Sequence, residues 1–475
     1  MASTHVIGRQ LLDVEVTGTE SDGFDLQRRL PDLARDWLIP ALEAVLERLV
    51  PANEHWRVDR LYIDAGTLRL EDLEHGLIEA VTRTVDQCLR ERTAPPLTPS
   101  VSGRPAPAAL IGSSDAIERR SAGKSLQEAL CHFLQTGVLP WWFQLGASET
   151  LEGVIVAAWQ DSEHPDARPE HFARAVLELM QGRAPASQRL VRQFSESFLG
   201  ALLSSVSREG VSVVRAVLGE LGRSGIPAQV LEEFAENVWT SAFALATGSI
   251  RPSPEILIAE ALHALSSSAR RMHEPLVERI AQRWPAAERV SETSPARRKS
   301  AESSAAGVDL DEGIRVGCAG VVLLHPFLPR LFAVLGIATE DKLLQPERAL
   351  ALLHFLTTGQ RVAPEYDLLL LKLLCNVPLD MPVRSRIELT VPEQEEAVAM
   401  LEAVVRHWSA LGDTSIDALR GSFLTRPGRL SRRGSDEVLQ VEARSYDILL
   451  DQLPWGIGLI QLPWMEKILW IEWRF

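Results

Sequence analysis

Apolar residues recur along this chain mostly at helical spacing. Leu26, Leu30, Leu33, Trp37 and Leu38, then Leu42, Val45, Leu46 and Leu49, trace a helical stretch opening at Asp25, in which Pro31 and Pro40 are expected to break or bend the helix. From Glu71 onward Leu73, Leu77, Val81, Val85 and Cys88 form a second stripe three to four residues apart. Two stretches alternate instead. Residues 5–16 place Val6, Gly8, Leu12, Val14 and Val16 on one side, and the run from Trp56 to Leu70 carries Val58, Leu61 and Ile63 into a turn at Asp64-Ala65-Gly66; both patterns predict strands. Residues 1–92 therefore read as a small α+β domain.

Residues 93–122 concentrate Pro95, Pro96, Pro99, Pro105 and Pro107 among Ser, Ala and Gly, too little apolar content to offset ordering, and predict a flexible linker. Residues 123–286 predict a helical domain of short helices, punctuated by nine prolines. A second Ser- and Ala-rich linker covers 287–312, and 313–475 follows as a mainly helical C-terminal domain whose apolar runs are separated by Pro, Trp and Gly. The fold class is mainly α: a small α+β N-terminal unit, then compact multi-helical regions joined by flexible linkers. One hexapeptide is used twice. His132-Phe-Leu-Gln-Thr-Gly137 and His354-Phe-Leu-Thr-Thr-Gly359 differ at one position, and each ends an amphipathic run with glycine where a left-handed helix cap is needed.

Composition narrows the function. The chain has 475 residues, 46% hydrophobic and 24% charged, which suits several folded domains rather than a disordered chain. Its formal charge of −15 argues against nucleic acid as a partner. Four cysteines, Cys88, Cys131, Cys318 and Cys375, lie far apart without metal-ligand spacing and read as buried thiols of a reducing compartment. No basic region followed by an apolar core opens the chain, and no apolar run reaches bilayer length, so neither a signal peptide nor membrane insertion is expected, and the protein is expected to be cytoplasmic when made.

Candidate chemistry is sparse. Gly123-Lys124-Ser125 resembles the end of a phosphate-binding loop, but Glu118 stands where that loop requires glycine, and a solvated linker end accounts for it. Asp161-Ser-Glu-His164, with His171 beyond, offers oxygen and nitrogen donors, yet the intervening prolines break any helix that would align them, leaving a surface turn. His325, in the apolar run Val321–Leu331, offers a base for Cys318 or Cys375, against a structural reading in which its imidazole satisfies a local backbone carbonyl. His407-Trp408 ends a helix, and packing suffices for it. Glu365 and Lys372 flank an apolar stretch, seven residues apart, as candidates for ion pairs. Arg420, Arg426, Arg429, Arg432 and Arg433 make a basic patch that reads as a hairpin or loop before it reads as a phosphate site. No catalytic, cofactor or metal residue is therefore assigned.

Tryptophan is over-used, twelve against three tyrosines, and Leu-Pro-Trp occurs three times, at 139–141, 453–455 and 462–464. Proline fixes chain direction and tryptophan then supplies a large rigid contact, so Trp141, Trp142, Trp455, Trp464, Trp470 and Trp473 are either core or candidate partner-docking anchors.

Several blocks occur in a familiar order: Gly313-Ile-Arg-Val-Gly-Cys-Ala-Gly-Val-Val-Leu-Leu-His-Pro-Phe-Leu-Pro329, Pro364-Glu-Tyr366, Leu370-Leu-Lys-Leu-Leu-Cys375, His407-Trp408, Leu419-Arg-Gly-Ser-Phe-Leu-Thr-Arg-Pro-Gly428 and Tyr446-Asp-Ile-Leu-Leu-Asp-Gln-Leu-Pro-Trp455. Together with His5-Val-Ile-Gly-Arg-Gln10, Val58–Gly66 and Phe133–Trp142, they resemble the contractile injection system tape measure family. Cys318, Ala65 and Asn376 depart from its pattern, which expects asparagine, leucine and glycine there. The resemblance implies a non-enzymatic component of a phage-tail-like contractile particle acting in tube length control or tube initiation, retained in the particle or released. It implies tube, baseplate or cap subunits as partners, beside self-association. The alternative is a helical scaffold or assembly chaperone for the same subunits.

A literal ruler meets a physical objection. Residues 124–285 as one helix would span roughly 240 Å, but the prolines forbid that helix and no sustained heptads support a coiled coil.

Overall fold

The computed structural model describes residues 5–93, 118–287 and 308–473, apart from 9, 52, 53, 59, 147, 148, 162–165, 182, 248–251 and 266–273. Most of each predicted linker, 94–117 and 288–307, thus lies outside the described residues. The chain divides into two compact units. One takes residues 1–126, 141–149 and 157–168; the other takes 127–140, 150–156 and 169–475. The architecture is mainly α, with a small α+β N-terminal part.

In the first unit the helix starts earlier than the apolar pattern suggests. Thr19 and Asp22 form a capping box that opens α1, Glu20–Leu33: Asp22 Oδ2 accepts the Thr19 N–H at 2.9 Å, and Thr19 Oγ1 accepts the Asp22 N–H at 3.3 Å. Nor do Pro31 and Pro40 break it. Helical backbone runs on through a π turn, Ala34–Leu38, into α2, Ile39–Leu49. The widened turn ends just before Pro40, where a regular helix would drive the ring into the carbonyl four residues back. Leu26, Leu33, Leu38 and Val45 bury against Leu73, Leu77, Val81, Val85 and Leu89 of α3, Leu73–Thr93. Leu89, rather than the half-buried Cys88, completes that stripe.

Strand content is smaller than the alternation predicts. Among the described residues of the first unit, only β1, Glu54–Arg57, pairs, antiparallel, with β2, Glu118–Ser121. The described residues among 5–16 form no strand; Leu11 is 74% exposed, and Val14 and Val16 are exposed too. The predicted turn is present: Gly66 has φ +69°, and its N–H donates to Asp64 Oδ1 at 2.8 Å.

The second unit shows why its prolines are so many. They begin helices. After α4, Ala122–Thr136, and α5, Leu151–Gln160, Pro169 opens α6, Pro169–Met180, and Pro185 is the second residue of α7, Ala184–Gln193. Past α8, Glu196–Val206, and α9, Arg208–Gly222, Pro227 precedes α10, Ala228–Ala246, and Pro254 opens α11, Pro254–Ala264. Phe133, Phe172, Phe198, Phe234 and Phe243 fill the space between these helices.

The C-terminal part buries a large apolar core under the helices Pro346–Thr358, Leu369–Leu374 and Val391–His407. It also holds a five-stranded sheet, ordered β3 (Ile314–Val316), β4 (Gly428–Arg433), β5 (Asp436–Val441), β7 (Leu469–Trp473), β6 (Leu459–Ile460). All neighbours are antiparallel except β5 and β7, which run parallel.

Candidate functional site

A polar constellation of the second unit is buried, and it joins residues far apart in sequence. Arg189 lies on the inward stripe of α7 beside Ala186 and Leu190, fully buried. Its Nε donates to Glu365 Oε1 at 3.0 Å, its Nη1 to the carbonyls of Leu134 and Gln135 at 3.1 and 2.8 Å, and its Nη2 to the carbonyl of Asp380. Lys372, 1% exposed, donates from Nζ to the same Glu365 oxygen at 2.6 Å and to the carbonyls of Leu379 and Met381 at 3.1 and 2.7 Å. Next along the chain, the Pro382 carbonyl accepts from Arg192 at 3.0 Å and the Val383 carbonyl from Gln193 at 2.7 Å. Five successive carbonyls, 379–383, are thus held by side chains.

Two buried cations share one carboxylate here. Burial pulls the Lys372 ammonium below its ordinary range, and nearby Arg189 adds to that; Glu365 opposes them. Around the core of the clamp, Glu236 accepts from Arg192 at 3.1 Å and Arg384 at 2.5 Å, and Glu347 reaches the same two arginines at 3.9 and 3.7 Å. Both cations engage Glu365 Oε1, leaving Oε2 buried without a hydrogen-bond partner among the described residues, and their other donors are spent on backbone carbonyls. The arrangement is a clamp. Sequence spacing singles out Glu365 and Lys372 but misses Arg189, whose signal is a cation placed three after Ala186 and one before Leu190 on an otherwise apolar stripe.

The repeated hexapeptide behaves as predicted and carries a further echo. Gly137 and Gly359 have φ +82° and +74°, and their N–H groups close on Phe133 O at 2.7 Å and Phe355 O at 2.8 Å. Each helix end is then covered by an arginine from elsewhere. Arg189 takes the Leu134 and Gln135 carbonyls, and Arg420 takes those of Leu356 at 3.1 Å and Phe355 at 3.2 Å. A cation at the carbonyl end complements the helix dipole. His354 is 3% exposed, and its burial lowers its pKa to about 4; burial lowers that of His132 as well.

The candidate catalytic groups fall into structural roles. His325 Nδ1 lies 3.0 Å from Val322 O, and His407 Nδ1 lies 2.8 Å from Ala403 O. Cys318 is buried within 3.7 Å of Thr357 Oγ1, and burial pushes its thiol up to about 12. Burial raises Cys375 as well. Thiols held protonated are poor nucleophiles. Gly123 and Lys124 lie in α4, not in a loop. His164 and Glu163 lie outside the described residues. Among the described residues, no group of three or more His, Cys, Asp or Glu is placed to hold a metal ion, and no helix is long and apolar enough to cross a membrane.

The basic patch is a hairpin with partners. Gly434, at φ +64°, turns β4 into β5; Arg433 pairs with Glu472, and Arg426, 2% exposed, donates to Asp447 Oδ2 at 3.0 Å. Asp447 Oδ2 also accepts the Trp473 indole N–H at 3.0 Å. Asn376, where the resembled pattern has glycine, takes φ +51°, a left-handed conformation that asparagine tolerates.

The six docking tryptophans separate. Trp464 and Trp473 are buried; Trp464 stacks on Phe332 with ring centroids 5.3 Å apart and donates to Leu374 O at 2.9 Å. Trp455 is half-buried and donates to Leu323 O at 3.1 Å. Trp142 is half-buried under the Arg57 guanidinium, 4.2 Å from its ring centre. Trp141 and Trp470 remain exposed, at 50% and 43%. Trp408, never a docking candidate, is fully buried, with its N–H on Leu449 O at 3.0 Å.

Compared with known proteins, the chain matches a family model described as contractile injection system tape measure protein, over residues 4–473. No curated protein and no solved structure matches it.

Proposed function

The chain belongs to the contractile injection system tape measure protein family, and from that premise we propose that it acts on tube length or tube initiation as folded bodies, not as a drawn-out helix. Its role is structural, in assembly of a phage-tail-like contractile injection particle. The observation carrying the folded-body reading is the buried clamp, in which Arg189 of the middle helices shares Glu365 with Lys372 of the C-terminal part. Drawing residues 124–285 into a rod would abandon that network, and the prolines that begin successive helices oppose the rod independently. The partners in this reading are tube, baseplate or cap subunits, met in the cytoplasm during assembly. The protonated thiols and carbonyl-bound histidines support a non-enzymatic role.

The test lengthens the chain within residues 94–117 or 288–307 and measures tube lengths by electron microscopy. Folded-body action predicts an unchanged tube length distribution. Tube length rising in proportion to the inserted residues overturns it and restores the contour ruler.

A second reading, an assembly chaperone released before completion, draws on the exposed Phe24, Trp37 and Trp141 of the first unit. Absence of the chain from purified particles by mass spectrometry separates it from the first.

A further inference from the structure

Residues 60–66 of the first unit have the burial of a β-strand without a strand's partner. Arg60, Tyr62, Asp64 and Gly66 are exposed, while Leu61, Ile63 and Ala65 between them are half-buried against the helical core. That period of two is what a pleated strand lying on helices produces. Yet β1 ends at Arg57, and among the described residues no backbone hydrogen bond joins 60–65 to another segment. An unfilled edge with apolar residues beneath it is a template for another strand.

The charges on its outer side indicate which strand. Among the described residues neither Arg60 nor Asp64 has an ion-pair partner; Arg60 instead donates to the Tyr62 hydroxyl at 2.7 Å, its guanidinium 5.6 Å from that ring's centre. Four positions apart on one strand, the two charges stand roughly 13 Å from each other and cannot meet. Antiparallel pairing with an identical strand, centred on Tyr62, brings each Arg60 opposite an Asp64 and each Leu61 opposite an Ile63. Centring on Leu61 or Ile63 pairs neither charge, and centring between residues sets outward side chains against inward ones. The segment is thus complementary to itself in one register, as a two-fold interface requires.

We propose that residues 60–66 form a self-pairing strand edge, joining two copies of this chain antiparallel about Tyr62. Opposite charges facing across the strands favour this register, and like charges oppose it. The Asx turn at Asp64 and Gly66 ends the strand. The inference rests on the first unit alone and stands whether or not the folded-body reading holds.

The test uses the full-length chain in analytical ultracentrifugation, with hydrogen exchange on residues 60–66. Wild type is expected to dimerise, its amides in this segment gaining protection as concentration rises. Arg60→Asp alone and Asp64→Arg alone set like charges across the pair and should each weaken the dimer at least ten-fold. The Arg60→Asp monomer should keep its fold because that side chain is exposed, whereas Asp64→Arg also gives up the bond to the Gly66 N–H, so its effect on pairing is read from the mixture of the two single variants. The double variant should dimerise as wild type does. An equimolar mixture of the two single variants should form heterodimers, since every facing pair is again opposite in sign. Single variants that associate like wild type overturn the proposal. So does a monomer whose 60–66 amides are protected at every concentration, which marks pairing within one chain, or protected only when a tube or baseplate subunit is added, which marks a different partner.

Discussion

Arg189 and Glu365, 176 positions apart, meet at 3.0 Å with neither side chain exposed to solvent. A buried pair contributes little net stability over a well-packed apolar substitute, but removing one member strands the other. Glu365 is the carboxylate of two cations, so Glu365→Ala should cost about 3–5 kcal/mol in urea unfolding. The exposed pair of Arg433 and Glu472 supplies the contrast, where Arg433→Ala should leave the urea midpoint close to that of wild type. Equal losses for the two variants would refute the clamp.

His354 should make stability depend on pH in a defined direction. Its pKa is lowered to about 4 in the folded chain, against 6.5 when unfolded. Between those values the unfolded state binds a proton that the folded state refuses, so stability falls as pH drops from 6.5 to 4, by roughly 3 kcal/mol in all. Asp367 acts oppositely. Burial raises its pKa from 3.8 to about 6, so its contribution is lost as pH rises through that range. The two effects largely offset each other in wild type between pH 6 and 4, so His354→Asn should gain stability on acidification through that range and Asp367→Asn should lose it. Identical pH dependence in His354→Asn and wild type would show that this histidine is not the sensor.

The two glycine caps should differ in sensitivity despite their shared hexapeptide. A left-handed alanine costs about 1–2 kcal/mol at either site. At Gly359 the added Cβ meets the Arg420 guanidinium at 3.1 Å, a contact that a small shift of that side chain relieves. At Gly137 it meets Glu365 Oε1 at 2.5 Å, inside the clamp, where the carboxylate cannot move without losing Arg189 and Lys372. Gly137→Ala should thus lose at least about 1 kcal/mol more than Gly359→Ala in parallel denaturation. The reverse order would mean the clamp is looser than its geometry.

How far these features were legible from residues follows from their range. The α3 stripe, the twin helix caps and the turn at Gly66 depend on neighbours a few positions away, and periodicity and glycine placement report them. Of the expectation that Pro31 and Pro40 break or bend the helix, the break does not occur: Pro31 lies within Glu20–Leu33, and a π turn that no residue pattern announces precedes Pro40. Residues 5–16 carry a strand's alternation, but a strand needs a partner, and alternation does not supply it. The parallel pairing of β5 with β7 and the meeting of Arg189 with Glu365 are long-range events. Glu365 and Lys372 could be named from spacing, whereas the third member could not.

Trp464 and Trp470 carry the last prediction, because the sequence offers one reading for both and the structure separates them. Trp464 is 6% exposed, stacked on Phe332, with its N–H on Leu374 O. Trp464→Ala opens a cavity and leaves that carbonyl unpaired, a loss of about 3–5 kcal/mol. Trp470 stands on β7 with 43% exposure, opposite the exposed Leu459 of β6. Trp470→Ala should leave stability within about 1 kcal/mol of wild type. Were Trp470 a docking anchor for a tube, baseplate or cap subunit, its variant would yield several-fold fewer tube-bearing particles by electron microscopy while the purified chain still melts as wild type. Normal particle numbers from that stable variant would remove Trp470 from the docking set. Loss of particles in Trp464→Ala, accompanied by unfolding, would carry no information about docking, and the pair of measurements keeps the two causes apart.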